Sequence, residues 1–324
     1  MSNLLEVTDL KKWFPVKRRT LFGRKLFVKA VDGVSFGVKA GETLGIVGES
    51  GCGKSTLGRT ILKLIKPTEG KIVFDGTDIT DPKFQNKQMR LIRRNIQIMF
   101  QDPYASLDPR MTIANIIAEP MDTMKVVKTE EARLERIVEL MEVCGINKAF
   151  LNRYPHEFSG GQRQRIGIAR ALSVRPKLIV CDEPVSALDV SIQSQIINLL
   201  VDLQRRYNLT LVFISHDLGV VEYISNRVIV MYLGKIVEIA EKRELFSNPT
   251  HPYTKALLRS IPEIGAKKFE DDSPILEGDI PSPINPPSGC TFHTRCPAAR
   301  RECSETVPAL REISEGHMVS CIMI

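Results

Sequence analysis

The stretch GESGCGKST, residues 48–56, constrains the fold of this chain more than any other feature. It follows the apolar run TLGIV and precedes LGRTILKLI, whose apolar residues have helical spacing. The residues Gly48, Gly53, Lys54 and Ser55 match the pattern G-x-x-x-x-G-K-[ST] in the strand, loop and helix context that this pattern requires. A strand, a glycine-rich loop and a helix in this order are typical of a layered α/β protein.

The chemistry of this phosphate loop, as we call residues 48–56, predicts its ligand. Glycines let backbone amides point into a concave nest, and the helix start adds positive partial charge. Lys54 can reach the terminal phosphates of a nucleotide, and the Ser55 hydroxyl can bind Mg²⁺. We therefore predict a nucleoside triphosphate site rather than a turn that only caps a helix. Its candidate residues are Gly48, Ser50, Gly51, Cys52, Gly53, Lys54, Ser55 and Thr56.

The rest of the chain suggests where the domains lie. Short β-rich runs extend from Leu5 to Phe100, whereas residues 102–175 have helical spacing and predict a helical insertion. Strand patterns such as LIVCDE and LVFISHD then alternate with a helical segment, as in parallel sheets. A segment with five prolines, PILEGDIPSPINPPSGC, predicts an irregular arm before the cysteine-bearing tail. We expect one domain over residues 1–262 and a C-terminal extension over residues 263–324.

Two adjacent carboxylates end one of the predicted strands. Burying Asp182 is costly unless a cation lies nearby, and Mg²⁺ on the nucleotide would supply one. Glu183 would then be placed to orient or deprotonate the attacking water. A solvated strand end without a catalytic role is the alternative.

Charge and hydropathy restrict the partners only weakly. The chain has 45 Lys and Arg against 38 Asp and Glu, a net charge of +7 that suits phosphate, nucleic acid or an anionic membrane surface alike. No run of about 18 apolar residues appears, and the first residues lack the order of a secretory signal. We expect the chain to remain in the cytosol.

Further motifs carry a resemblance to a known family. FSGGQRQR at residues 158–165, SALD at residues 186–189, Gln101 in IMFQDP and His216 in ISHD resemble the ATP-binding cassette (ABC) ATPases in order and spacing. The resemblance implies an ABC-type P-loop NTPase core with an antiparallel β subdomain, a helical subdomain insertion and ATP with Mg²⁺ as ligands. Glu183, His216 and Gln101 would be catalytic, with Gln101 also near Mg²⁺.

The resemblance also implies residues that contact ATP away from the phosphate loop. The signature residues would pack against ATP held by a second subunit, and an aromatic residue of an early loop would stack on adenine. We favour Phe14 over Trp13 for that stacking, although core packing is the commoner fate of adjacent aromatics. The implied residues are Phe14, Ser159, Gly160, Gly161, Gln162, Asp182 and Asp189. Ser159 as a simple helix N-cap is the alternative, and the two roles are compatible.

One copy of each motif implies that two cassettes are needed for catalysis. HPYTKALLRSIP and GDIPSPINPPSGCTFHTRC resemble the C-terminal part of oligopeptide and dipeptide importer ATPases. The resemblance implies a peripheral ATPase at the cytoplasmic face of the membrane, paired with a paralogous ATPase or a second copy of itself. It further implies two permease subunits, an extracytoplasmic binding protein and no nucleic acid. Nickel or oligosaccharide uptake, and a soluble ABC ATPase acting on ribosomes or DNA, are the alternatives.

Four cysteines fall in the tail: Cys290, Cys296, Cys303 and Cys321. Their spacing, C-x5-C-x6-C-x17-C, matches neither a zinc ribbon nor a common ferredoxin. Four thiolates can still hold either metal centre, and related importer ATPases carry a [4Fe-4S] cluster in this region. We rank this cluster first and Zn²⁺ second, with a structural role, and free thiols as the remaining alternative.

Overall fold

The computed structural model of the chain describes residues 3–16, 25–84, 86–102, 104–259 and 278–324. The strands in these ranges are β1 (Asn3–Pro15), β2 (Phe27–Lys39), β3 (Thr43–Val47), β4 (Glu69–Phe74), β5 (Thr77–Asp78), β6 (Ile96–Met99), β7 (Leu178–Asp182), β8 (Thr210–Ile214), β9 (Arg227–Tyr232), β10 (Lys235–Glu241), β11 (Arg311–Ser314) and β12 (His317–Val319).

The helices in the same ranges are α1 (Lys54–Ile61), α2 (Asn86–Asn95), α3 (Ile113–Met124), α4 (Glu130–Val143), α5 (Gly160–Leu172), α6 (Val190–Tyr207), α7 (Leu218–Ile224), α8 (Lys242–Ser247), α9 (Pro252–Arg259) and α10 (Arg301–Glu305). In this described part of the chain, none of them is both long enough and apolar enough to cross a membrane.

The chain forms two compact units, which we describe separately. The first unit comprises Met1–Leu4, Val38–Glu42 and Asp81–Ile214. The second unit comprises Leu5–Gly37, Thr43–Thr80 and Ser215–Ile324. The two units interleave along the sequence, and no boundary between them falls at residue 262. The predicted domain boundary at residue 262 stays a prediction.

Three parallel strands form the sheet of the first unit, in the order β6-β7-β8. Every residue of β7 and β8 is buried, which explains why both read as continuous apolar runs. Strands with this pattern need cover on both faces. Because all three run in the same direction, their carboxyl ends meet at one edge. Gln101 lies two residues beyond β6, and Glu183 directly follows β7.

The range predicted to be helical contains α3, α4 and α5, and no strand lies among its described residues. Thr112 and Thr129 cap α3 and α4, since each hydroxyl accepts a hydrogen bond from a backbone N–H of the first turn. The helices pack through fully buried side chains such as Ile117, Leu140 and Ile168. This packing gives the signature residues at the start of α5 a firm support.

The second unit holds a four-stranded antiparallel sheet in the order β2-β1-β4-β5. Leu5 pairs with Phe74 and Val7 with Ile72, and all four side chains are buried. Burial alternates over residues 5–8 of β1, as expected for a sheet with one face on the core. The sheet is the antiparallel β subdomain expected from the sequence.

The remaining strands of the second unit follow the order β3-β9-β10-β12-β11. β3 runs parallel to β9, and Ile46 pairs with Ile229. The phosphate loop leaves β3 at Val47, and the helix after it ends at Ile61 rather than at the predicted Ile65. Lys63 explains the earlier end, because its φ of 50° leaves the helical region.

The C-terminal tail contains a hairpin that the sequence did not reveal. β12 pairs with β10, Glu238 opposite Val319, and β11 pairs with β12. Both strands are short, and β11 is exposed along its whole length, so neither has a recognisable strand pattern. The proline-rich arm before it has no helix or strand over residues 278–290, which is the part of this segment that the structure describes. The hairpin at residues 311–319 adds two strands to a tail for which the sequence predicts none.

A buried carboxylate ties the hairpin to the second unit. Glu238 is fully buried and accepts hydrogen bonds from the backbone N–H of Thr250 (2.8 Å) and His251 (3.0 Å) and from His317 Nε2 (2.7 Å). Burial lowers the pKa of His251 to about 3, so its ring is neutral, and Nδ1 accepts from the Tyr253 N–H. The buried carboxylate and both buried imidazoles thus have hydrogen-bond partners, as polar groups removed from water require.

Candidate functional site

The phosphate loop has a backbone that only glycine can adopt at two points. Gly48 has a φ of 149° and Gly53 a φ of 105°, both in the region that disfavours other residues. A Cβ on Gly48 would lie 2.2 Å from the Met231 carbonyl oxygen, and one on Gly53 would lie 1.9 Å from that of Ala30. The loop is therefore packed directly on neighbouring main chain.

The loop turns its cationic and donor groups inward. Gly53 caps α1 without a side chain, so the first turn of the helix keeps its amides for an anion. Lys54 is 4 % exposed, and its Nζ donates to the carbonyl oxygens of Gly48 (2.7 Å) and Glu49 (3.1 Å). Cys52 is buried, and this burial raises the pKa of its thiol, so the sulfur stays protonated and uncharged.

Glu183 and Gln101 meet although 82 residues separate them. Gln101 Nε2 donates a hydrogen bond of 3.1 Å to Glu183 Oε2, because each residue follows one of two neighbouring parallel strands. Glu183 has a φ of 48°, and its N–H donates to Ile214 O at 3.0 Å. Such a backbone in a non-glycine residue is costly and is typical of functional sites.

Asp182 directly precedes this pair and is 1 % exposed. A carboxylate buried to this extent is stabilised by a cation or by hydrogen bonds. The oxygen donors that the sequence assigned to Mg²⁺, the Ser55 hydroxyl and the Asp182 carboxylate, are of the chemical type that Mg²⁺ prefers.

The signature residues form the start of α5. Ser159 Oγ accepts from Gln162 N at 3.4 Å, and Gln162 Oε1 accepts from Ser159 N at 3.0 Å, which makes a capping box. Gly161 lies against Ile192, whose Cγ2 would be 2.4 Å from a Cβ at this position. The helix-cap alternative is thus realised, while the exposed Ser159 and Gln162 stay accessible to a second subunit.

Asp189 caps the neighbouring helix. Its Oδ2 accepts from Ile192 N (3.4 Å) and Ser191 Oγ (2.9 Å) at the start of α6. Ile192 packs on Gly161, so the starts of α5 and α6 are fixed against each other. Asp189 therefore acts in this subunit as a cap, and its predicted nucleotide contact stays a prediction.

His216 lies in an exposed turn after β8. Asp217 caps the following helix α7 by accepting from Val220 N at 3.2 Å, and its own N–H donates to Ser215 Oγ at 3.0 Å. These two bonds fix the backbone on both sides of His216. The imidazole is thus presented at the surface by a defined turn.

The two adjacent aromatic residues near the N-terminus, Trp13 and Phe14, have different surroundings. Trp13 Nε1 donates to Asp32 Oδ1 at 3.0 Å, and Lys29 Nζ lies 5.0 Å from the indole centroid. Phe14 is half-buried, with Lys12 Nζ 4.7 Å from its ring centroid. Trp13 is therefore fixed by its own partners, which favours Phe14 as the residue for adenine stacking.

The four cysteines of the tail share one neighbourhood. Burial raises the pKa of Cys290 and Cys296, and nearby Cys303 and Cys321 raise both further. Cys290 N donates to Cys303 O at 2.7 Å. Within the described ranges, however, no three His, Cys, Asp or Glu side chains have an arrangement that could hold a metal. The four-cysteine metal centre expected from the sequence is therefore not shown and stays a proposal.

Two contacts to the phosphate loop were missed from the sequence. Arg295 binds both carboxylate oxygens of Glu49, at 2.8 and 3.0 Å, and the hydrogen bonds to Glu49 raise the pKa of Arg295. Tyr253 accepts a hydrogen bond of 2.9 Å from Glu49 N through its hydroxyl. Both partners lie more than 200 residues from the loop in sequence, and no spacing pattern signals a contact of this kind.

Comparison with known proteins identifies the family. A model described as "ABC transporter" matches residues 31–186, and one described as "Oligopeptide/dipeptide transporter, C-terminal region" matches residues 237–303. The oligopeptide transport ATP-binding protein AppF of Bacillus subtilis is 56% identical over 99% of this chain and 97% of its own length. The corresponding OppF of Salmonella typhimurium is 53% identical over 99% and 96%.

Solved structures agree with this assignment. The structure of cbiO1 from Clostridium perfringens, part of the ABC transporter complex cbiONQ, has a TM-score of 0.64 at 27% identity and covers 76% of this chain and 92% of its own. A dimeric ATP-binding cassette bound to ADP and Pi has a TM-score of 0.64 at 29% identity, covering 74% and 99%. The predicted ABC-type α/β fold is confirmed. The chain belongs to the ABC transporter ATPases and carries the C-terminal region of the oligopeptide/dipeptide transporters.

Proposed function

We propose that this chain hydrolyses ATP to power the import of peptides through a membrane ABC transporter. The hydrogen bond between Gln101 and Glu183 carries the proposal, because it places a carboxylate and a water-orienting amide together at the end of parallel strands. The names of the relatives, which are oligopeptide transport proteins, support the choice of peptides. Nickel complexes or oligosaccharides are the alternative cargo.

Each residue has a distinct task in the proposed reaction. The loop amides and Lys54 bind the phosphates, and Phe14 stacks on adenine. Ser55 and Asp182 hold Mg²⁺, which neutralises charge on the phosphates when bound. Glu183 orients and deprotonates the attacking water, and Gln101 fixes the position of the Glu183 carboxylate.

A second cassette completes the proposed site. Ser159, Gly160, Gly161 and Gln162 would approach the γ-phosphate of ATP bound by the partner subunit, with Asp189 beside them and His216 on the phosphate of its own subunit. The exposure of Ser159, Gln162 and His216 supports this role. ATP then joins the two subunits, and hydrolysis releases them. We favour a paralogous chain as the partner, with a homodimer as the alternative.

The proposed complex lies at the cytoplasmic face of the membrane. Two permease subunits would bind the helical region that follows Gln101, and an extracytoplasmic protein would deliver the substrate. The three helices α3, α4 and α5 follow Gln101 in the chain and make up this region. No nucleic acid takes part.

The decisive experiment is a pulldown of the tagged chain from solubilised membranes, combined with an ATPase assay of the recovered material. We expect integral membrane proteins, a second ATPase and hydrolysis that depends on Mg²⁺. Recovery of ribosomes or DNA instead of membrane proteins would favour the soluble alternative. A preparation with no affinity for adenine nucleotides would refute the function.

We further propose that Cys290, Cys296, Cys303 and Cys321 hold a [4Fe-4S] cluster, with Zn²⁺ as the second choice. A metal centre would stabilise a tail that has little apolar core of its own. We expect about four iron and four sulfide per chain after anaerobic purification, and loss of both in a Cys303→Ser variant. Zinc without iron would support the second choice. Metal analysis that finds neither element would refute the site.

A further inference from the structure

The phosphate loop contains a carboxylate of its own, at Glu49. Its side chain is 21 % exposed, and Arg295, from the C-terminal extension, is 6 % exposed. The two planar groups form two parallel hydrogen bonds of 2.8 and 3.0 Å. This bidentate geometry is among the strongest that an arginine and a carboxylate can form.

A cluster of aromatic rings, formed by Tyr232, Tyr253 and Phe292, lies beside Glu49 and Arg295. Tyr253 is fully buried and accepts from Glu49 N, while its ring lies 4.7 Å from Tyr232 and 5.3 Å from Phe292. Phe292 is three residues before Arg295. The main chain and the side chain of Glu49 are therefore fixed by the same cluster.

The charges of Glu49 and Arg295 affect how the phosphate loop can bind a nucleotide. A nucleoside triphosphate carries several negative charges, and an unpaired carboxylate in the loop that receives it would repel them, the more so where water is largely excluded. Arg295 cancels the charge of Glu49. The guanidinium itself is occupied by Glu49 and lies near the Tyr232 hydroxyl, 3.5 Å away.

We propose that Arg295 is a positioning residue of the phosphate loop, which neutralises Glu49 and holds the loop in the shape that accepts an anionic nucleotide. Through Arg295, the C-terminal extension thereby takes part in nucleotide binding. This inference rests on the proposed ATP-dependent function.

The test compares ATP affinity and loop protection in variants of the full chain. With Mg²⁺ present, we expect Arg295→Gln to weaken ATP binding about tenfold and Arg295→Lys to weaken it less. In a Glu49→Gln background, where no charge needs cancelling, Arg295→Gln should change affinity by less than about twofold. Arg301→Gln is the matched control, since Arg301 is 89 % exposed and pairs with Glu305 on the surface.

Hydrogen exchange of residues 48–53 without nucleotide gives a second, independent measurement. We expect faster exchange of these amides in Arg295→Gln and Arg295→Lys than in Arg301→Gln, with similar thermal unfolding temperatures for the Lys variant and the wild type. Unchanged ATP affinity and exchange, or an equal loss of affinity in the Glu49→Gln background, would overturn the inference. A wild type that binds no ATP would refute the proposed function, while the exchange experiment would still decide whether Arg295 holds the loop.

Discussion

Glu183→Gln is expected to reduce ATP hydrolysis by about 10²–10⁴-fold while ATP binding is retained. The substitution removes the basicity of the side chain and keeps its shape. The new amide oxygen can still accept the hydrogen bond from Gln101 Nε2, which spans 3.1 Å in the wild type. Only the proton transfer from water is lost, so the variant should accumulate as an ATP-bound closed dimer.

Steady-state phosphate release and size-exclusion chromatography with ATP measure the two effects. Glu135→Gln, an exposed position on α4, serves as the matched control and should hydrolyse ATP at the wild-type rate. Normal hydrolysis by purified Glu183→Gln would refute the assignment of Glu183 as the base. Loss of ATP binding in the same variant would point to a structural role of the carboxylate.

Gly53→Ala should abolish ATP binding by preventing the phosphate loop from forming. The φ of 105° is strained for alanine, and the new methyl group would lie 1.9 Å from the Ala30 carbonyl oxygen. Strain and overpacking together cost about 2–6 kcal/mol. A backbone oxygen cannot move aside as a flexible side chain can, so the loop must change conformation.

Two other glycines separate the causes of this effect. Gly51 has a φ of 79°, but a Cβ added there would have no neighbouring atom within 4 Å, so Gly51→Ala tests the backbone strain alone and should have a smaller effect. Gly167 lies in α5 with similarly open space around it, and Gly167→Ala should bind ATP normally. Equal ATP affinity of the Gly53 and Gly167 variants, measured by calorimetry, would show that the close approach is unimportant.

The parts of the fold that could be predicted from the sequence are those fixed by local pattern. The continuous apolar residues of β7 and β8 indicated buried parallel strands, and TLGIV before the phosphate loop indicated β3. Helix capping at Ser159 was also readable, because the cap and its partner Gln162 are three residues apart. In these cases the determining interactions lie within a few residues of each other.

The parts that were missed depend on distant residues. The hairpin β11–β12 is a strand pair only because β10 offers an edge to it. Arg295 and Glu49 meet through the folding of the whole second unit, and neither residue stands out by its neighbours. For the cysteines, number and grouping are visible in the sequence, but the positions of the sulfur atoms depend on the tertiary structure.

The fastening of Glu49 by Tyr253 and Arg295 also affects the order of events during synthesis. Tyr253 and Arg295 lie 204 and 246 residues after Glu49, so the loop is synthesised long before either partner. Until then the nascent chain holds the loop without these restraints. The phosphate loop therefore gains both restraints only after Arg295 has been synthesised.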